Sequence, residues 1–328
     1  MNIAFAGLRH GHIFVLLDMV KKHSGCTFAG AYEENAEARK AAEANGVDKW
    51  YDSLEELLAD PTVDAVALGG CFADRGETAI SVLRAKKHVI ADKPLCTSLK
   101  QLDEIERLAA ENDRKVTVMF TMRYEPRFEA VRELVKSGEL GEVNNVYFGG
   151  QHPLQYGRRP MWYFEEGKHG GTINDIAIHG IDLLSFLFGL KNFTVEAARC
   201  WNRFASEQPA FKDSAQLMLT AENGAGILAD VSYSIPDGIE FSLPLYWEFN
   251  IWGTGGVLEL SLVKKAVFYK KGSKEPIILE DRDAEPDFLT DFIALTEGRS
   301  VRLTMEEAFE STRNTLMIQA AADTTKRN

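Results

Sequence analysis

What the chain lacks narrows it first. No apolar run approaches the ~18 residues that a membrane-spanning helix needs. No basic, apolar, small-residue leader opens the sequence, so a cytoplasmic location with no membrane partner is expected. Cysteine is scarce: Cys26, Cys71, Cys96 and Cys200 stand singly with no C-x-x-C pair, which points to neither a cysteine-rich zinc site nor a disulfide framework. Positive charge is short as well, with 37 Lys and Arg against 49 Asp and Glu and a net charge of −12. That balance repels nucleic acid and favours a small neutral or polar ligand. Internal repeats, low-complexity tracts and a Pro, Gly and Ser linker are all missing.

What is present reads as two domains, since 328 residues exceed the roughly 250–300 at which single cores stop growing. Over residues 1–121, β-rich apolar runs ("NIAFAG", "TFAGAY", "VDAVALGG", "HVIAD", "VTVMFT") alternate with helical patterns at Ile13–Val20, Ala36–Ala44, Thr78–Leu83 and Leu99–Ala110. Capping boxes at Ser53-x-x-Glu56 and Ser98-x-x-Gln101 mark helix starts. Strands apolar on both faces and separated by helices predict a Rossmann-like, doubly wound parallel sheet. Over residues 122–328 the rhythm changes. A helix at Arg127–Val135, a strand "VNNVYFGG" and a helix at Asp175–Phe188 precede strands at Phe193–Trp201, Ser214–Glu222, Gly226–Ser234 and Tyr246–Gly253. Asn223-Gly224 predicts a hairpin between two of them. The last segment, Asp287 to Ala321, is helical again, with a capping box at Thr304-x-x-Glu307. The second domain is therefore α+β with a mainly antiparallel open sheet.

The first strand runs into "FAGLRHGHIF". A dinucleotide fingerprint, G-x-G-x-x-G, would place three glycines here, yet Gly7 is followed by Arg9 and His12 at the second and third positions. Gly11 is expected to take over the packing role of the third glycine, Arg9 can lean toward a phosphate, and His10, Gly11 and His12 head the helix that would receive it. About 25 residues on, Glu33 ends the second strand where a carboxylate accepts from an adenosine ribose and disfavours a 2′-phosphate, so NAD is expected rather than NADP. The same His10-x-His12 pair resembles half of a barrel-hydrolase metal site. The other histidines, His23, His88, His152, His169 and His179, do not sit where such a site needs them, and no metal is expected.

Lys93, in "ADKPLC", stands at the carboxyl end of a buried strand, where open α/β sheets place ligands. In "GGTINDIAIHGIDLL", Asp175, His179 and Asp182 recur at i, i+4 and i+7 among apolar residues that bury the helix, so the polar stripe is expected to face a cavity.

Here the residues resemble the Gfo/Idh/MocA oxidoreductases. Lys93-Pro94 is similar to the family's E-K-P motif, and "GGTINDIAIHGID" to its G-G-x-x-x-D-x-x-x-H-x-x-D signature. "SGELGEVNNV", "NIWGTGGVLEL" and "DFLTDFIALTEG" resemble its domain-linking and C-terminal segments. The resemblance implies a nicotinamide cofactor and a sugar, cyclitol or related polyol substrate in a cleft between the domains, with a homodimer or homotetramer formed through the C-terminal sheet. It implies that Lys93 steers the substrate hydroxyl, that His179 is the general acid or base, and that Asp175 positions substrate and imidazole. It also implies that Arg123 lines the cleft. Asp182 reads as an orienter at the substrate site, while Trp162 and Tyr163 either stack on a pyranose face or pack in the core. Gly69, Gly70 and Cys71 replace part of the family's usual turn at the cofactor, with room left at Gly69-Gly70 for the nicotinamide ribose, and Arg75 stands where the family usually has histidine. Relatives that use bound NAD transiently for lyase, glycosidase or epimerase chemistry, and sugar-sensing fold members without turnover, are the alternatives.

Overall fold

The computed structural model describes residues 1–239 and 241–324. Contacts divide the chain into two units. One comprises Met1–Met119, Gly167–Gly170 and Pro286–Arg313, and the other comprises Phe120–Glu166, Gly171–Glu285 and the chain from Asn314.

In the first unit, strands β1 (Asn2–Leu8), β2 (Thr27–Tyr32), β3 (Ala65–Gly69), β4 (His88–Ala91) and β5 (Val116–Val118) pair in the order β2-β1-β3-β4-β5, all parallel. They alternate with α1 (His12–Lys22), α2 (Ala36–Ala44), α3 (Leu54–Ala59), α4 (Phe72–Arg84) and α5 (Leu99–Glu111). The strand runs are apolar throughout because helices cover the sheet: every residue of β3 is buried. The chain winds outward from β1 in both directions, which opens a crevice at the carboxyl ends of β1 and β3. Helix α4 starts six residues before the predicted Thr78, because Phe72, Arg75 and Gly76 are buried and extend the helix inward.

Local start signals behaved unequally. Ser53 Oγ accepts from Glu56 N at 3.0 Å, and the Thr304–Glu307 box closes both ways at 3.2 Å. The box expected at Ser98 does not form: Ser98 makes no side-chain cap, and the Gln101 side chain donates to Glu77 instead. Competition from a neighbouring helix decided that case.

His88, which opens β4, is pushed down to about 4 by burial, and its Nδ1 accepts from Lys115 N at 2.9 Å. The folded chain therefore holds this imidazole neutral at pH values where the unfolded chain protonates it. Its contribution is fully present above pH 6.5 and is lost as the pH falls toward 4. A His88→Gln variant keeps an acceptor without titrating. It is expected to remove about 2 kcal/mol of the stability change over that window, discounted for partial exposure. Urea unfolding at a series of pH values measures this, and superimposable pH profiles for the two proteins would refute it.

In the second unit, α6 (Pro126–Lys136) leads to an eight-stranded sheet. Its strands are β6 (Val143–Pro153), β7 (Thr194–Trp201), β8 (Ser214–Thr220), β9 (Gly226–Ile235), β10 (Glu248–Gly253), β11 (Gly256–Ser261), β12 (Val267–Lys270) and β13 (Ile277–Ile278). Their order is β13-β12-β11-β10-β6-β9-β8-β7. Neighbours are antiparallel except β6 and β9. The predicted hairpin joins β8 and β9, but only Gly224 takes a left-handed φ, +85°, and Asn223 instead accepts from Ala225 N at 3.0 Å. Helix α7 (Ile178–Phe188) is preceded by a π-helical turn at Ile173–Ala177 where the spacing predicts an α-helix. Two further helices, α8 (Phe288–Thr296) and α9 (Met305–Thr324), close the described chain. On the sheet, Leu228, Met218 and Trp252 are exposed.

Candidate functional site

The crevice of the first unit is a cleft of about 250 Å³ whose lining includes Gly7, Arg9, Glu33, Gly70 and Cys71. Its floor is shaped by close backbone approach. Gly7 has φ +73°, and a Cβ there would lie 2.7 Å from Gly70 Cα, so the first glycine of the fingerprint is required by both conformation and space. The close helix–strand contact is made by Gly69, where a Cβ would lie 2.6 Å from Ile13 Cβ. Gly11 does not take over that role as expected, since a Cβ there would meet nothing within 4 Å. Gly70 is equally open, whereas Gly69 is filled by Ile13, so the open space lies at Gly70 alone of the two. The N–H groups of Arg9 and His10 donate to Gly69 O at 2.9 and 3.0 Å, fixing the turn. Cys71, at the start of α4, is pushed up to about 11 by burial and stays a thiol.

Glu33 is buried at the end of β2. Its Oε1 accepts from Arg9 Nε at 2.9 Å and Asn35 N at 2.8 Å, and its Oε2 from Leu8 N at 2.7 Å. A carboxylate has about four acceptor positions, so three donors leave one on Oε2 for a ribose hydroxyl. These residues fit the adenosine half of a dinucleotide. Arg9 is folded onto Glu33 rather than extended.

His10 and His12 turn the other way, toward Asp92 at the end of β4. His10 Nδ1 and Asp92 Oδ2 are in short contact, and His12 Nδ1 lies 3.4 Å from Asp92 Oδ1. Burial opposes the Asp92 charge, but His10 and the Arg75 guanidinium outweigh it and hold the carboxyl well below its usual range. Burial pushes His10 down to about 3, so its ring is neutral. Arg75 is itself buried. It donates to Gly70 O (2.9 Å), Asp92 O (2.9 Å), Lys93 O (2.6 Å), Pro94 O (3.2 Å) and Asp92 Oδ2 (2.9 Å). One side chain thus shapes the turn that presents Lys93, whose ammonium lies 5.8 Å from the Phe72 ring centre. The sequence marked Arg75 as a departure from the family pattern, and it gave no sign of this clamp, because the acceptors lie up to nineteen positions away.

In the second unit, Asp175 sits in the π turn, and its Oδ2 accepts from the Tyr233 hydroxyl on β9. Burial, reinforced by Asp175, drives the Tyr233 phenol well above its ordinary value, so it remains a donor. The Arg159 guanidinium lies 5.1 Å from the Tyr233 ring and 4.6 Å from the Tyr163 ring. Sequence reasoning missed Tyr233 and Arg159; a tyrosine in a strand carries no pattern beyond β-propensity. His179, near the start of α7, has its ring 6.5 Å from Phe120 and 5.7 Å from Trp247. Asp182 does not continue the stripe into open space. It is buried and paired with Arg123 through two contacts, Nε–Oδ2 at 2.9 Å and Nη2–Oδ1 at 2.8 Å. Trp162 and Tyr163 are buried with ring centres 4.3 Å apart, the core-packing arrangement.

Comparison with known proteins agrees with both halves. Residues 1–120 match the family described as "Oxidoreductase family, NAD-binding Rossmann fold", and residues 128–259 match the "GFO/IDH/MocA C-terminal domain". The myo-inositol 2-dehydrogenase of Thermotoga maritima is 30% identical over 46% of this chain and 44% of that protein. The NAD(+)-dependent scyllo-inositol 2-dehydrogenase of Bacillus subtilis is 25% identical over 78% of this chain and 70% of that one. The chain spans about half the length of the first curated relatives it matches. A solved structure described as an oxidoreductase from Erwinia carotovora atroseptica superposes with a TM-score of 0.86 at 27% identity, covering 98% of each chain. With the two domains matched in order, the chain belongs to the Gfo/Idh/MocA oxidoreductase family, and its first unit is an NAD-binding Rossmann domain.

Proposed function

We propose that the protein is an NAD-dependent dehydrogenase acting on a secondary hydroxyl of a sugar, cyclitol or related polyol. The observation that carries this reading is the crevice at the ends of β1 and β3, where Gly70 leaves open space and Glu33 keeps one acceptor position. The inositol dehydrogenases among the relatives support the substrate class. Glu33 favours a ribose diol over a 2′-phosphate, which makes NAD preferred to NADP. When bound, NAD supplies the hydride acceptor. His179 takes the hydroxyl proton, a role suited to imidazole. The Lys93 ammonium lowers the cost of negative charge developing on the substrate oxygen. Asp175, held by the Tyr233 hydroxyl, fixes the orientation of substrate and imidazole, whereas Arg123 and Asp182 serve the fold through their mutual pair.

No described helix is long and apolar enough to cross a membrane, and the proposed setting is the cytoplasm. The exposed Leu228, Met218 and Trp252 on the sheet suit a homodimer or homotetramer. The functional reading is tested by titrating purified protein with NAD and NADP, then following NADH absorbance with a panel of cyclitols, pentoses and hexoses. Saturable NAD binding and polyol-dependent NADH formation are expected. Binding without net NADH would move the reading to transient redox chemistry, and no nicotinamide binding would overturn it.

A further inference from the structure

We infer that His10, His12 and Asp92 form a binding site for one divalent transition-metal ion of the zinc, cobalt or nickel class. The inference concerns the first unit alone and does not depend on the dehydrogenase reading.

The three side chains come from two strand ends. His10 lies in the turn between β1 and α1, His12 opens α1, and Asp92 follows β4, where its N–H donates to Leu68 O at 3.0 Å. One ligand atom from each lies within 4.8 Å of the others. The two imidazoles stand edge to face with ring centres 4.4 Å apart. Ligands about 2.0–2.1 Å from a tetrahedral ion lie about 3.3 Å from one another, and the His12 Nδ1 to Asp92 Oδ1 separation is 3.4 Å.

The second observation is Asp92 Oδ1. Its residue is wholly buried, and this oxygen accepts no hydrogen bond among the described residues. Arg75 occupies the other oxygen, Oδ2. The carboxylate is thus clamped with one lone-pair edge aimed at His12, and an unpaired buried acceptor is costly. A cation there satisfies it. His10 would turn its Nδ1 from Oδ2 to the ion.

Donor chemistry selects the metal. Two nitrogens and one oxygen suit borderline ions, whereas calcium and magnesium want oxygen shells. Three protein ligands leave further positions open, as in zinc sites that also hold water or a small molecule. The nearby Arg75 charge opposes a cation, so affinity below that of a closed structural zinc site is expected. The sequence showed only half of this site, because Asp92 stands eighty residues beyond His12.

The probe is cobalt(II), whose visible bands report coordination directly. Untagged full-length protein, stripped with chelator, is titrated with cobalt chloride and then with zinc chloride. One equivalent of cobalt is expected to give saturable bands that zinc displaces. His12 is exposed enough to change without harming the fold, and His12→Ala is expected to weaken binding by more than about tenfold, at least the loss seen when outer-shell partners are removed. The absence of saturable cobalt binding, or binding of equal strength in His12→Ala, overturns the proposal.

Discussion

Replacing His179 by alanine is expected to lower turnover by about 10²–10⁴-fold, the usual contribution of a positioned acid or base. NAD affinity should stay within a few-fold. The expectation follows from where the residue sits: near the start of a helix whose flanks are buried, its ring set against Phe120 and Trp247. Removing the imidazole deletes a proton acceptor and leaves those aromatic walls standing. Steady-state rates with the best polyol from the panel, together with NAD titration by fluorescence, separate the two effects. Full turnover in the variant would remove His179 from the mechanism, whereas loss of cofactor binding would assign it to the fold. Asp175→Asn is a useful companion, because it keeps an acceptor for the Tyr233 hydroxyl while removing the charge.

A comparably large effect, on stability, is expected from Arg123→Leu. The Arg123–Asp182 pair is buried on both sides, and its two parallel contacts are what a guanidinium and a carboxylate make when each compensates the other. Removing the cation deprives the buried Asp182 carboxylate of its bidentate partner, at a cost of about 3–5 kcal/mol. The melting temperature should drop by on the order of 10 °C. Combining Arg123→Leu with Asp182→Leu should recover most of the loss, because buried pairs replaced as a unit by apolar groups are often near neutral. Thermal unfolding of the three proteins tests this. A single variant as stable as the parent, or a double variant worse than the single, would contradict the description of the pair as mutually compensating.

Much of the architecture was legible because it rests on periodicity. The five apolar runs of the first unit became its five parallel strands, since burial on both faces leaves no polar position to blur the pattern. Ala36–Ala44 was read to the residue. What escaped was settled at a distance. Ser98 lost its capping partner when Gln101 turned to Glu77 on another helix. The π turn holding Asp175 leaves no trace in a spacing rule built for 3.6 residues per turn. Glu33 was identifiable from its place at the end of β2, but its engagement by Arg9, Leu8 and Asn35 was not. The i, i+4, i+7 stripe put Asp175, His179 and Asp182 on one cavity-facing edge, but Asp182 is instead buried against Arg123, fifty-nine positions earlier in the chain. Pattern reading finds surfaces that must be buried; it does not say which polar group meets which.

The Arg75 guanidinium touches Gly70, Asp92, Lys93 and Pro94 at once. The conformation of two separate loops is thereby stored in a single planar group, which lysine cannot imitate. Substitutions at positions 75 and 92 should then be strongly epistatic: once the guanidinium is gone, loss of the Asp92 carboxylate falls on a turn already released, and their individual costs will not sum.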